Sequence, residues 1–313
     1  MAPPNGPREA DDPDDGSEQA NRTGGTAPAA VLGAGVAVPG RAIPSALDIA
    51  RLSRSRGLAE GRAELYRHVA RVSALGPGDE FLIAPSATGS AARFLASASG
   101  AHGVGVDPDA DLVAHATERA RVAGLGTLVQ FDQGDPRDLP YTDAVFDLAI
   151  GEIGLSAADA ERGVRELARV VKPGGRVLLV QPVWTADVEE ARKAILARRF
   201  GFRPYLAQRW KVMLRAAGVG ELNAEDLSDV AASRTGAASV RTLTDFFTVR
   251  DRFAVAFAAL RRYGWPGISA AIGREQELRR LVSRERVLGL SLIWGVRKAG
   301  PGGTIAPPEP PSS

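Results

Sequence analysis

Short apolar runs alternate with amphipathic segments through the middle of this chain, from about residue 76 to residue 183. The apolar runs are bounded by Gly, Pro or Asp, and such runs are typical of buried strands. They predict five strands, at residues 81–84, 102–107, 127–135, 144–152 and 176–184. The amphipathic segments between them predict helices.

The predicted helices carry apolar residues at helical spacing. One begins near Gly89 and ends at Gly100, and the next begins after Asp109, whose side chain can cap it. A third covers residues 157–171 and is stopped by the turn sequence KPGG, and two more are expected between residues 42 and 75. This alternation predicts an α/β protein with a parallel sheet that is covered on both faces.

Composition, charge and cysteine content narrow the class of protein. The 313 residues are 44% hydrophobic and 24% charged, as in soluble globular proteins, and no apolar run approaches the roughly 20 residues of a membrane span. The formal net charge of +2 gives no electrostatic case for nucleic acid. With no cysteines, three histidines and no ligand spacing, we expect no metal site. No signal peptide is recognisable, so we expect a cytoplasmic protein without membrane partners.

Both ends of the chain are rich in Pro, Gly and polar residues and have almost nothing to bury. Residues 1–28 and 300–313 are therefore expected to be disordered tails. Residues 29–299 are expected to form a single domain. Within that domain we expect N-terminal helices at 42–75, a core at 76–183 and a C-terminal part at 184–299 with a helical insertion.

The C-terminal insertion contains one long apolar stripe in residues 242–267. The stripe residues are Phe246, Val249, Phe253, Phe257 and Leu260, in a helix expected to run from a cap at Thr244 to Gly264. Such a stripe is typical of core packing. Together with the N-terminal helices, this helix is expected to build a lid over a substrate cleft.

The most informative positions are those that follow each strand, because ligands bind beyond the carboxyl ends of parallel strands. Asp107 ends the second strand, eighteen residues after Gly89. A carboxylate there can accept both hydroxyl hydrogens of a ribose. The alternative is that Asp107 caps the next helix, although Asp109 is better placed for that role.

Two long motifs resemble those of a known family. GDPRDLPYTDAVFDLAI, at Gly134–Ile150, and RELARVVKPGGRVLLVQP, at Arg165–Pro182, are similar to segments of class I S-adenosylmethionine-dependent methyltransferases. The similarity is to the small-molecule subgroup related to quinone methylases, also called methyltransferase type 11. It covers residues 75–182 and returns in RWKVMLRAAGVGELNAEDL, which resembles the family's last helix and sixth strand. LSLIWGVRK would then be the seventh strand.

The resemblance implies a doubly wound, Rossmann-like sheet of seven mostly parallel strands, with N-terminal helices and helical insertions near the C-terminus. It also implies S-adenosyl-L-methionine as the cofactor. Asp107 would bind the ribose, Asp135 would accept from the adenine amino group, and Glu152 would lie beside the methionine part. The residues implied to contact the cofactor are Pro85, Ser86, Ala87, Gly89, Asp107, Pro108, Gly134, Asp135, Pro136 and Gly151.

The loop after the first strand departs from the family pattern. Aligned on Gly89, family members would carry an acid at Ile83 and glycines at Pro85 and Ala87. Ile83 lacks the carboxylate that in the family orients the methionine amino group, and Pro85 has no N–H to donate. Pro136 is a second departure, because the residue after the adenine-binding acid usually donates its N–H to the ring.

These features favour methyl transfer from S-adenosylmethionine to a small molecule. Glu152 is expected to act as the catalytic base, with binding of the methionine amino group as its alternative role. The degenerate loop leaves a second hypothesis, a catalytically inactive methyltransferase-like protein that serves as a binding or regulatory subunit. A nicotinamide-dependent oxidoreductase fits the sheet but not the two long motifs. The substrate and the oligomeric state stay open, with a homodimer as one alternative.

Overall fold

The computed structural model describes residues 43–52, 60–227 and 249–299, which all fall within one compact unit spanning residues 34–313. The predicted tails at residues 1–28 and 300–313 lie outside the described residues. Among the helices in these ranges, none combines the length and the apolarity that crossing a bilayer requires.

One eight-stranded sheet forms the centre of this unit, in the order β3-β2-β1-β4-β5-β8-β7, with β6 beside β5. The strands are β1 (Glu80–Ala84), β2 (His102–Asp107), β3 (Val129–Gln133), β4 (Phe146–Gly151), β5 (Val171–Trp184), β6 (Tyr205–Leu206), β7 (Val219–Asp226) and β8 (Leu288–Arg297). Only β8 runs antiparallel to its neighbours among these strands. The doubly wound sheet of seven predicted strands is confirmed, and the two-residue β6 is an addition to it.

The helices alternate with the strands in the predicted order. They are α1 (Ala46–Arg51), α2 (Glu60–Ser73), α3 (Ser90–Ser99), α4 (Ala110–Val122), α5 (Ala160–Val170), α6 (Glu190–Phe200), α7 (Ala207–Ala216), α8 (Val249–Tyr263) and α9 (Trp265–Arg279). Asp109 caps α4, as predicted, by accepting from the backbone N–H groups of Asp111 and Leu112. The sequence KPGG does not separate α5 from the fifth strand as a free turn, because β5 begins at Val171 and includes it.

The two faces of the sheet carry separate apolar cores, because successive residues of a strand point to opposite faces. Phe81 and Ile83 of β1 pack in a cluster with residues of α2, α3 and α4. Leu82 and Ala84 pack in a second cluster with residues of α5 and α7. Helices therefore cover both faces of the sheet, and residues 81–84 of β1 are all apolar because neither face of the strand meets water there.

The apolar stripe of α8 does not form the core contact that was predicted. Phe253 is 75% exposed and Phe257 is 65% exposed, whereas Val255 and Ala259 are buried. The reason is the close packing of α8 against α9, where a side chain at Gly267 would collide with the carbonyl oxygen of Ala259. Small residues fit between two helices that lie this close together, whereas aromatic side chains do not. Phe246 and the cap at Thr244 lie outside the described residues.

The backbone conformation of the loop between β1 and α3 explains why glycine is present at position 89, one of the three glycine positions in the family pattern. Gly89 has φ of +66°, and a Cβ there would overlap the ring of Phe131 and the methyl group of Ala116. Only glycine fits both conditions. Ala87 also has a left-handed backbone, with φ of +47°, but it carries a methyl group. The Ala84–Pro85 peptide bond is cis.

An arginine clamp holds the segment that resembles the family's LPYTD motif. The guanidinium of Arg169 on α5 donates to the carbonyl oxygens of Tyr141 (2.8 Å) and Leu139 (3.1 Å) and to the Asp143 carboxylate (2.9 Å). It also donates twice to Glu166, which in turn accepts from the N–H of Leu139 at 2.9 Å. The motif is therefore fixed to α5 by charge-assisted hydrogen bonds.

The left-handed backbone at Ala87 predicts an unusual response to glycine. Ala87→Gly should raise the free energy of unfolding by roughly 0.5–1 kcal/mol, because relief of the left-handed strain outweighs the added chain entropy. Ala114→Gly, at an exposed position inside α4, should instead lower it by about 1 kcal/mol. Urea denaturation measures both. If Ala87→Gly lowered the free energy of unfolding as much as Ala114→Gly does, the result would contradict a left-handed backbone at residue 87.

The clamp predicts a large cost for the loss of one arginine and a small cost for the loss of its neighbour. Arg169→Met should lower the free energy of unfolding by roughly 2–3 kcal/mol, because it leaves two carbonyl groups without this donor and Glu166 with only the N–H of Leu139. Arg165→Met removes only an exposed pair with Glu161 at 3.6 Å, which is worth less than about 0.5 kcal/mol. Equal melting temperatures for the two variants would argue against the clamp.

Candidate cofactor and substrate site

Three neighbouring strands end together at the point where the strand order reverses. In the sheet β1 lies between β2 and β4, and Ala84 at its end pairs with Gly151. The N–H of Glu152 donates to the carbonyl of Ala84 at 3.3 Å, and the N–H of Gly134 donates to that of Asp107 at 3.1 Å. The predicted site residues of the first four strands are thus brought to one edge of the sheet, as expected for a parallel sheet.

Asp107 is buried at the end of β2, with 1% of its surface exposed. One carboxylate oxygen accepts from the N–H of Ala87 at 2.8 Å, and the other accepts from the N–H of Asp109 at 3.0 Å. Burial raises the pKa of the Asp107 carboxyl, against the opposing effects of these N–H groups and of Arg51. Asp107 therefore supports the loop, and each oxygen keeps a lone pair for one further donor such as a ribose hydroxyl.

The backbone N–H groups of the loop are directed into the protein. Ser86 donates to Val106 at 2.8 Å, Gly89 donates to Ser86 at 2.9 Å, and Ala87 donates to Asp107. Pro85 has no N–H. These four loop positions therefore offer acceptors but no backbone donors to a ligand.

Asp135 is held in place by the arginine that follows it two residues later. The guanidinium of Arg137 donates to both carboxylate oxygens, at 2.9 and 3.0 Å from Nε and 2.6 Å from a terminal nitrogen, and the backbone N–H adds a bond at 2.9 Å. These bonds hold the pKa of Asp135 below its usual range. The carboxylate is partly exposed. Its pairing with Arg137 was not foreseen from the sequence.

Glu152 lies directly after β4 and has 4% of its surface exposed. Gly151 before it has no room for a side chain, because a Cβ would meet Leu179 at 2.7 Å and Leu155 at 2.8 Å. Packing alone thus requires this glycine. Glu152 and Asp107 stand on either side of β1, which brings two buried carboxyl groups to the same edge of the sheet.

The sequence analysis did not predict two contacts at this edge. Gln181, the polar residue within the apolar run of β5, donates to the carbonyl oxygens of Gly151 and Glu152. Helix α1 reaches the loop, since Leu47 and Pro85 both lie within 4 Å of the Cβ position of Gly154. A lone polar residue in a buried strand was the available signal for Gln181, whereas nothing in the sequence indicated where α1 packs.

The residues present fit S-adenosylmethionine by the chemistry of their polar groups. The cofactor carries hydrogen-bond donors on its ribose, its adenine ring and its ammonium group. The site supplies the carboxylates of Asp107, Asp135 and Glu152, which act only as acceptors when ionised. Pro108 beside Asp107 is held by Gln133, whose amide donates to its carbonyl at 3.3 Å. Within the described ranges no cluster of three potential metal ligands occurs.

Comparison with known proteins agrees with this geometry. Residues 83–175 match the family described as a methyltransferase domain. The chain is 31% identical over 164 residues to a 2-phytyl-1,4-naphtoquinone methyltransferase of Synechococcus elongatus, covering 51% of this chain and 66% of that protein. It is 36% identical over 127 residues to a demethylmenaquinone methyltransferase of Clavibacter sepedonicus, covering 40% and 50%. The matched region thus spans between half and just under two thirds of these relatives.

Solved structures share the fold. The [4+2]-cyclase SpnF superposes with a TM-score of 0.60 and 25% identity, over 76% of this chain and 81% of that one. A geranyl diphosphate methyltransferase in complex with S-adenosylmethionine superposes with a TM-score of 0.57 and 15% identity, over 75% and 85%. Residues 83–175 thus match a methyltransferase domain, and in that domain and in its strand order the chain is similar to class I S-adenosylmethionine-dependent methyltransferases.

Proposed function

We propose that this chain transfers the methyl group of S-adenosylmethionine to a small molecule. The observation that carries the proposal is the meeting of two buried carboxyl groups, those of Asp107 and Glu152, at the switch point of a methyltransferase sheet. The relatives are named for small molecules, among them a naphthoquinone, demethylmenaquinone and a demethylrifamycin. Those names support the substrate class but do not identify the substrate.

The cofactor would supply an activated methyl group on a sulfonium sulfur. The chain's own task is to hold the reacting groups in line and to exclude water. Asp107 would accept from the ribose hydroxyls at a position that its two backbone bonds have already fixed. Asp135 would accept from the adenine amino group while Arg137 keeps the carboxylate ionised.

Glu152 would act at the reacting end of the site. Its backbone N–H donates to the carbonyl of Ala84, the residue at which β1 ends and the degenerate loop begins. Ile83, where the family carries an acid, is fully buried in the core and offers nothing to a ligand. Glu152 would therefore remove a proton from the substrate nucleophile, and its alternative is to hold the ammonium group that Ile83 cannot hold.

The second candidate function is a methyltransferase-like protein without methyl transfer. The observation that favours it is the loop, whose N–H groups at Ser86, Ala87 and Gly89 are all used within the protein. A shared fold does not prescribe one reaction, and the similar SpnF structure is titled a [4+2]-cyclase. The two candidates differ in whether a bound cofactor is consumed.

Removal of the Asp107 carboxylate should weaken binding of the adenosine part of the cofactor. Asp107→Ala should raise the Kd for S-adenosylhomocysteine by an amount equivalent to roughly 1.5–3 kcal/mol, the scale of hydrogen bonds to a charged group. Asp111→Ala, an exposed acid in the first turn of α4, is the matched control and should bind as the wild type does. Calorimetry gives the affinities and circular dichroism checks the fold. Unchanged affinity in a folded Asp107→Ala variant would remove this residue from the site.

Substitution of Glu152 should separate its two candidate roles. Glu152→Gln should lower turnover by about 10²–10⁴-fold and leave the Kd for S-adenosylmethionine within about twofold, as expected for loss of a general base. Glu190→Gln, on the exposed start of α6, should change neither value. The assay measures release of S-adenosylhomocysteine with a panel of phenols, quinols and alcohols.

Two outcomes would contradict this prediction. A tenfold or greater loss of cofactor affinity in Glu152→Gln would assign the residue to the ammonium group. Binding of S-adenosylmethionine by the wild type without turnover of any acceptor would favour the candidate that does not catalyse methyl transfer.

A further inference from the structure

Gln181 is a polar residue in the middle of the buried strand β5. It is fully buried, and Val180, Leu179 and Val183 around it are buried as well. An amide in such surroundings is costly unless it is hydrogen-bonded. The hydrogen bonds of the Gln181 side chain should therefore explain why a polar residue stands at this position.

The amide of Gln181 continues the sheet beyond its last backbone pair on that side. The register of β4 on β5 ends at Gly151 opposite Leu179, and β6 joins β5 only at Val183. Gln181 lies between these two pairings. Its Nε2 donates to the carbonyl oxygen of Gly151 at 3.0 Å and to that of Glu152 at 2.7 Å. A side chain thus fixes two peptide groups at the point where β4 leaves the sheet.

The amide oxygen of Gln181 adds a second observation. It is buried and has no hydrogen-bond partner within the part of the chain that the structure describes. Buried polar atoms in native proteins are nearly always hydrogen-bonded. This spot therefore calls for a donor that a bound ligand or an ordered water supplies.

We propose that Gln181 is a positioning residue for the amino-acid end of the cofactor. By holding the carbonyl groups of Gly151 and Glu152 it fixes the backbone at the end of β4, and its amide oxygen is left as an acceptor for the cofactor's ammonium group. The adenosine end depends on Asp107 and Asp135, on the opposite side of β1 from β4 and β5. The inference rests on the proposed function, because it assumes that this edge binds S-adenosylmethionine.

The test compares two ligands that differ only at the end in question. S-adenosylhomocysteine carries the amino-acid part, whereas 5′-methylthioadenosine keeps the adenosine and the thioether without it. Gln181→Met, which keeps the length but loses both donors, should raise the Kd for S-adenosylhomocysteine about tenfold, as expected for loss of hydrogen bonds that hold a binding group. It should change the Kd for 5′-methylthioadenosine less than about twofold.

Gln133→Met is the matched control, because Gln133 ends β3 on the adenosine side and donates to Pro108. It should leave the ratio of the two Kd values unchanged. Should Gln181→Met fail to fold, Gln181→Leu, which also lacks the two donors and adds no charge beside the ammonium group, takes its place with the same expected ratio.

Three results would overturn the inference, and they can be told apart. An equal rise of the Kd for both ligands in a Gln181 variant would mean a purely structural role, and unchanged Kd values for both would mean no role. Wild-type protein that binds neither ligand would overturn the proposed function, and the inference with it.

Discussion

The burial of β1 at the centre of the sheet is the constraint on which the rest of this structure depends. Residues 81–84 are fully buried, with an apolar core on each face. The neighbouring β2 makes room for large rings by having Gly103 against Phe81 and Gly105 against Phe131. Close packing of this kind leaves one register for β1, β2 and β3. Together with the pairing of Ala84 with Gly151, that register sets the ends of β1, β2 and β4 side by side, which places Asp107 and Glu152 at one edge.

The loop after β1 shows how a chain keeps a family geometry after losing most of the family's glycines. Gly89 remains because Phe131 and Ala116 occupy the space of a side chain. Ala87 adopts the left-handed conformation, and Asp107 holds its N–H. The backbone donors of Ser86, Ala87 and Gly89 face inward, and the acids at the strand ends present acceptors. An edge of this kind suits a ligand that is cationic or rich in donors, which agrees with a sulfonium cofactor that carries an ammonium group.

The helices outside the sheet meet the site through contacts between small and apolar groups. Leu47 on α1 and Pro85 both approach Gly154, and Leu47 also packs against the cluster that contains Trp184 and Phe200. A lid over the substrate is still a prediction.

The sequence by itself determined the order and type of the core elements, because periodicity, caps and turn residues are local properties. Gly100 ends α3 and Asp109 caps the start of α4, as predicted. It also identified Asp107 and Glu152 as strand-end acids, since position along a parallel strand decides which edge a residue reaches. Only the tertiary structure decided which groups pair across long separations. The contacts of Gln181 with the end of β4 and of Arg169 with Leu139 and Tyr141 are of this kind. Packing between helices likewise decided that Phe253 and Phe257 are exposed. Such contacts depend on how closely whole elements approach one another, as Gly267 against Ala259 shows, and no local pattern records that distance.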